Sequence, residues 1–173
     1  MKRLFGFIAT AALIIMALSV VPACDDDDDN PVNPGPTTGT VSGTVTFAGT
    51  WPSTGDVQVS IYSTLQPPIY VPTGPPDAFT DPITGEPATY DYEFSGLDFG
   101  TYAGILVSWR DPANPSGAQL LGMYWAYVDS VGIFDSGPFD GAPKPPYPTP
   151  VTVNASNAVR NNLDIRADLD LSQ

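Results

Sequence analysis

From residue 39 onward, several segments carry apolar side chains at every second position. No long stretch repeats them at the three- and four-residue intervals of an amphipathic helix. In residues 39–48, Val41, Gly43, Val45 and Phe47 share one face, while Ser42, Thr44 and Thr46 share the other. In residues 56–62, Val57, Val59 and Ile61 point inward. Trp51-Pro52-Ser53-Thr54-Gly55 between them reads as a turn, so the two segments are expected to pair as a first hairpin. Proline supplies 20 of the 173 residues, well above an average share of about 5%. Such a chain is all-β, with loops where the prolines gather.

The loops and later strands follow. Residues 63–89 hold seven prolines, so any strand there is short and at an edge. Tyr90, Tyr92 and Phe94 alternate with Asp91 and Glu93, and Gly96 to Gly100 are read as a chain reversal. Tyr102 to Trp109 is almost unbroken in apolar character, as a buried central strand is. A further strand is read at Leu120–Val128. A Gly/Pro/Asp-rich excursion from Asp129 to Pro150 follows, then Val151-Thr-Val153 and a polar turn at Asn154–Asn157. Leu163, Ile165, Ala167 and Leu169 alternate along a last strand.

The N-terminus carries a different message. Lys2 and Arg3 precede an uncharged run from Leu4 to Ala23, which fits either a cleaved secretory signal or a retained membrane anchor. Val21-Pro22-Ala23-Cys24 resembles the cleavage box of bacterial lipoproteins, although Pro22 departs from the usual residue at its position. The resemblance implies cleavage before Cys24, the only cysteine, and lipidation of its thiol. With one cysteine there is no intrachain disulfide. The alternative is a chance cysteine after an ordinary signal or anchor.

Asp25 to Asp29 repel one another, and residues 30–38 add three prolines and a glycine, so residues 24–38 read as an extended tether. At about 3.3 Å per residue it reaches about 50 Å. The acidic run is read as a plain spacer or, alternatively, as a sorting signal for surface export, as in lipoproteins of some Gram-negative lineages. The expected organisation is a signal at 1–23, a tether at 24–38 and one domain at 39–173. The implied location is the bacterial envelope, at the outer membrane or cell surface rather than the inner membrane.

The pattern Tyr92-x-Phe94-x-Gly96-Leu97-x-x-Gly100-x-Tyr102, with the Val41, Val57 and Leu163 strands around it, is similar to carboxypeptidase-regulatory-like (prealbumin-like) domains. That resemblance implies a single antiparallel Greek-key β-sandwich of about seven strands with long proline-rich loops. The loop at 63–89 and the insertion between Asp111 and Pro150 depart from the family pattern.

Composition narrows the function. The chain has no histidine, which removes most general-base, zinc-ligand and triad chemistry. Without Lys2 and Arg3, four basic residues face 19 acidic ones, a net charge of about −15, unsuited to nucleic acid or anionic lipid headgroups. No enzyme activity, cofactor or metal is expected. Acidic turns at Asp77/Asp81/Glu86 and Asp129/Asp135/Asp140 read as solvated or, alternatively, as calcium ligands.

Aromatic residues are the ligand candidates: Tyr70, Trp109, Tyr124, Trp125 and Tyr127, with Phe79 in the long loop. Each either stacks on a ligand or fills the core. The leading reading is a non-catalytic, lipid-anchored structural or adhesion module. The second is a glycan-binding accessory lipoprotein, and a third is a partner subunit that docks another envelope protein.

Overall fold

A computed structural model describes residues 34–67, 71–114, 117–125, 138–139, 142–143 and 148–172. The described chain runs β1 (Thr38–Ala48), β2 (Asp56–Tyr62), β3 (Leu65–Gln66), β4 (Val71–Pro72), β5 (Ala78–Phe79) and β6 (Thr89–Asp98). It continues through β7 (Gly100–Tyr102), β8 (Gly104–Arg110), β9 (Ala118–Met123), β10 (Pro138–Phe139), β11 (Ala142–Pro143) and β12 (Val151–Val153). It ends with β13 (Val159–Arg160), β14 (Ile165–Asp168) and a 3₁₀ turn at Leu169–Ser172. The fold is an all-β sandwich. Among the described residues no helix is long and apolar enough to cross a membrane.

The first sheet is built around β1. On one edge β6 runs antiparallel to it, from Thr38 opposite Asp98 to Thr46 opposite Thr89. On the other edge β13 and then β14 run parallel to it, so the last strand lies beside the first and in the same direction. Antiparallel pairing holds elsewhere among the described strands. The second sheet has the order β5-β2-β8-β9. The strands of the long proline-rich stretch are two residues each, and β5 forms the edge beside β2.

The parallel pairing of β13 and β14 with β1 departs from the purely antiparallel sandwich that the resemblance implies, and two further sequence expectations are corrected here. First, β1 and β2 do not form a hairpin: they belong to opposite sheets, and residues 49–55 carry the chain across the end of the sandwich. Val41 and Val45 then meet Val57, Val59 and Ile61 across the core, all at most 2% exposed. Burying both inward faces against each other removes more apolar surface than setting the strands side by side. Second, the chain does not reverse at Gly96. The register slips by one residue between Gly39 and Val41, a β-bulge, and β6 runs on to Asp98. The crossing to the second sheet follows, pinned by Tyr102, whose hydroxyl donates to the Asp98 carbonyl at 2.9 Å.

β8 is apolar on both faces because it is covered on both. Ile105, Val107 and Trp109 face the sandwich core, while Leu106 joins Met123 and Trp125 in a second cluster. Tyr62, Leu65 and Leu120 pack against that cluster. The strand expected over 120–128 ends at Met123 within the described residues, and Ala126–Val128 lie outside them.

Between β13 and β14 the chain steps past the middle of β1. Leu163 donates its N–H to the Ser42 carbonyl at 3.1 Å, and the Asp164 carboxylate accepts the Thr44 N–H at 3.0 Å. The step works because position 43 has no side chain: a Cβ there would lie 2.3 Å from the Leu163 carbonyl oxygen. Gly43→Ala is therefore expected to cost about 2–3 kcal/mol in chemical denaturation. Gly74→Ala, with nothing within 4 Å of its added carbon, should be near neutral.

Tyr92 seals the same junction. It is 3% exposed, and its hydroxyl donates to the Leu163 carbonyl at 2.5 Å. Burial, reinforced by the nearby Asp164 charge, pushes its ionisation far above the ordinary value of 10.0. The folded chain thus keeps a proton that the unfolded chain loses near pH 10. Stability is full below pH 10 and falls above it, by up to about 1.4 kcal/mol per pH unit for this group. Tyr92→Phe should lose about 1 kcal/mol at neutral pH, and its melting temperature should fall less steeply above pH 10. The residual fall comes from Tyr62, Tyr102 and Tyr124, which burial also pushes up.

Candidate functional site

Three recesses stand out on the described surface. The first, about 320 Å³, lies on the outer face of the first sheet between Ser42, Thr44, Asp91, Glu93 and the 161–164 step. Its polar groups largely partner one another. Thr44 Oγ1 donates to Asp91 at 2.7 Å, Ser42 Oγ to Asn161 at 3.0 Å, and the Thr44 N–H to Asp164. Among the described residues no group of three or more acidic or thiol side chains is placed to hold a metal ion. Asp77, Asp81 and Glu86 are thus not gathered into a calcium site, while Asp129, Asp135 and Asp140 lie outside the described residues.

A small recess of about 190 Å³ lies between Asp77, Ala78 and the end of β6. The third, about 340 Å³, sits at the end of the sandwich where β1 stops, and of the three it alone has tryptophan walls. Trp51, Pro52, Ser53, Thr54, Trp109 and Ser172 line it.

Its construction follows from the crossing loop. Just past β1, the Thr50 N–H donates to the Asp170 carboxylate at 2.9 Å, clipping the loop to the C-terminal 3₁₀ turn. Asp168 and Ser172 hold that turn, through bonds to the Asp170 N–H at 3.0 Å and the Leu169 carbonyl at 2.7 Å. Trp51 tilts against Phe47, with ring centroids 4.8 Å apart. Trp109 donates its indole N–H to the Thr54 carbonyl at 2.8 Å. Gly55 follows at φ +85°, and a Cβ there would meet that indole nitrogen at 2.4 Å. The turn therefore has its glycine where the indole needs the space.

The residues singled out from the sequence fall in separate places. Trp109 is 8% exposed and Trp125 2%, so both are mainly core, although Trp109 also forms a wall of the recess. Tyr124 is half-buried against the main core, and its backbone joins Ile105 and Thr149. The structure does not bring Trp109, Tyr124 and Trp125 together as one platform: Trp109 lies in the main core, Tyr124 packs against it, and Trp125 lies in the second cluster. Cys24, Tyr70 and Tyr127 lie outside the described residues. Phe79 stands 62% exposed on the edge strand β5. Trp51, read from the sequence only as part of a turn, is the residue that reading missed. The available signal was chemical: a tryptophan in a loop exposes much apolar surface unless something covers it.

Among the described residues, the fold and this recess define an all-β sandwich with a tryptophan-walled end. No family model, no curated protein and no solved structure matches the chain.

The Trp109 anchor gives a direct test. Trp109→Phe leaves the Thr54 carbonyl without its donor and a gap beside Gly55. It should lower stability by about 2 kcal/mol in denaturant titration.

Proposed function

We propose that this chain is a lipid-anchored β-sandwich of the bacterial envelope. It works without catalysis as an interaction module and presents its tryptophan-walled end away from the membrane. The direction of β1 supports the orientation within this reading. Residues 34–37 lead into the start of β1 at Thr38, and the recess begins just past its other end at Ala48. Eleven residues at about 3.3 Å each separate the two ends by about 35 Å. A chain tethered through Cys24 has its attachment at the first end, which leaves the second free of the tether.

The remaining support comes from the sequence. Val21-Pro22-Ala23-Cys24 has the form of a lipidation box, and the five aspartates after it suit an extended, wet spacer. Two or more acyl chains, at about 0.8 kcal/mol per buried methylene, suffice for stable attachment. The carboxypeptidase-regulatory-like resemblance is compatible with a binding rather than a catalytic role, as is the lack of histidine.

Cys24→Ala should accumulate as uncut precursor or appear in the soluble fraction, whereas wild type stays with membranes and incorporates labelled palmitate. Wild-type behaviour of the variant would refute anchoring. Orientation is read separately in intact cells with a bulky, impermeant maleimide. Ser53→Cys, at the recess, should react faster than Ser156→Cys, in the turn at the tether end. Equal or reversed rates would refute the outward presentation.

A further inference from the structure

We propose that the recess between Trp51 and Trp109 binds a neutral saccharide, one or two sugar rings at a time. The inference rests on the interaction-module reading for its setting and adds the ligand class. At about 340 Å³ the recess is at the small end of ligand sites, which run from about 300 Å³ upward. Its walls combine two kinds of surface. Trp51, half-buried, supplies the apolar ring surface; Trp109, mainly core, closes the recess behind it, and the only polar atom of its ring is already bonded to Thr54. Ser53 and Thr54 supply hydroxyls able to donate and to accept, and Ser172 adds a third. The Ser172 hydroxyl donates to Leu169, which leaves its oxygen to accept.

A sugar ring has the matching pair of surfaces, C–H faces that lie on an aromatic ring and a rim of hydroxyls. Other ligand classes fit less well. A phosphate or carboxylate ligand needs a cation, and among the described residues no charged side chain lines the recess. The net charge of about −15 left after removal of Lys2 and Arg3 further repels anions at long range, uronic-acid glycans included. An apolar peptide finds a short pocket rimmed by hydroxyls rather than a greasy groove.

The site is also held in shape before any ligand arrives. Thr50 is bonded to Asp170, Trp109 to Thr54, and Trp51 rests on Phe47. A ligand therefore meets a formed recess and does not have to order the loop.

The test uses the full-length lipidated protein in a detergent without a sugar headgroup. Neutral hexaoses of glucose, mannose, xylose and galactose, and a hexamer of galacturonic acid, are titrated by calorimetry and tryptophan fluorescence. At least one neutral hexaose should bind and shift the emission, and the galacturonate should not. Trp51→Ala should weaken that binding about tenfold or more, whereas Trp51→Phe should keep most of it. Because Trp51→Ala also removes the ring that rests on Phe47, a second variant separates binding from folding. Ser53→Arg, at an exposed position, blocks the recess without touching the core, and it should abolish binding with an unchanged melting temperature.

Absence of binding to every neutral hexaose would overturn the proposal, as would binding undiminished in Ser53→Arg. Tighter binding of the galacturonate, or of a polyproline peptide added as a control, would overturn the neutral-saccharide assignment. Membrane fractionation of Cys24→Ala and maleimide labelling at Ser53 and Ser156 decide the anchored, outward-facing reading independently. An anchored protein that binds no sugar therefore fails this inference alone.

Discussion

The structure depends on the end of the chain returning to its beginning. β1 is the spine of the first sheet, and one of its edges is completed only when the C-terminal segment lies along it. The bonds that do so join residues about 120 positions apart: Thr44 to Asp164 and Thr50 to Asp170. Until they form, one whole edge of β1 faces water and the core is open on that side. Closing so long a loop is entropically costly and slow, and the core is its compensation. Gly43 and Tyr92 sit where this closure is tightest, one by having no side chain and the other by bonding Leu163.

The same closure builds the aromatic end. The C-terminal turn that follows β14 is what Thr50 grips, and Ser172 of that turn lines the recess. The distant strands that stabilise the first sheet thus also shape the proposed binding surface. Fold and site share one set of contacts, and the recess lies beyond the end of β1 remote from Thr38.

β8 carries the second sheet in a comparable way. Its two faces lie in two apolar clusters, which explains a run of apolar residues without alternation in a mainly antiparallel protein. Apart from Asp164, Asp168 and Asp170, which bond the closing segment, the acidic residues contribute little to the core. Asp91 and Glu93 line the outer face of the first sheet, where the Thr44 hydroxyl donates to Asp91. A surplus of negative charge on such a surface favours solubility and discourages anionic partners.

Strand positions, their inward residues and the proline-bounded edges were legible in the sequence, because a two-residue period and the missing proline N–H are local properties. So were the lone cysteine, its flanks and the lack of histidine. Which strands pair was not legible. Val41 and Val57 alternate alike whether their strands lie side by side or face each other, and only the competition for buried area across the whole core separates the two. Nor does the pattern of Leu163, Ile165 and Ala167 reveal that their strand runs parallel to β1. The recess belongs to the same class of fact: Trp51, Trp109 and Ser172 are far apart in sequence and meet only because the crossing loop and the C-terminal turn close over one end of the sandwich.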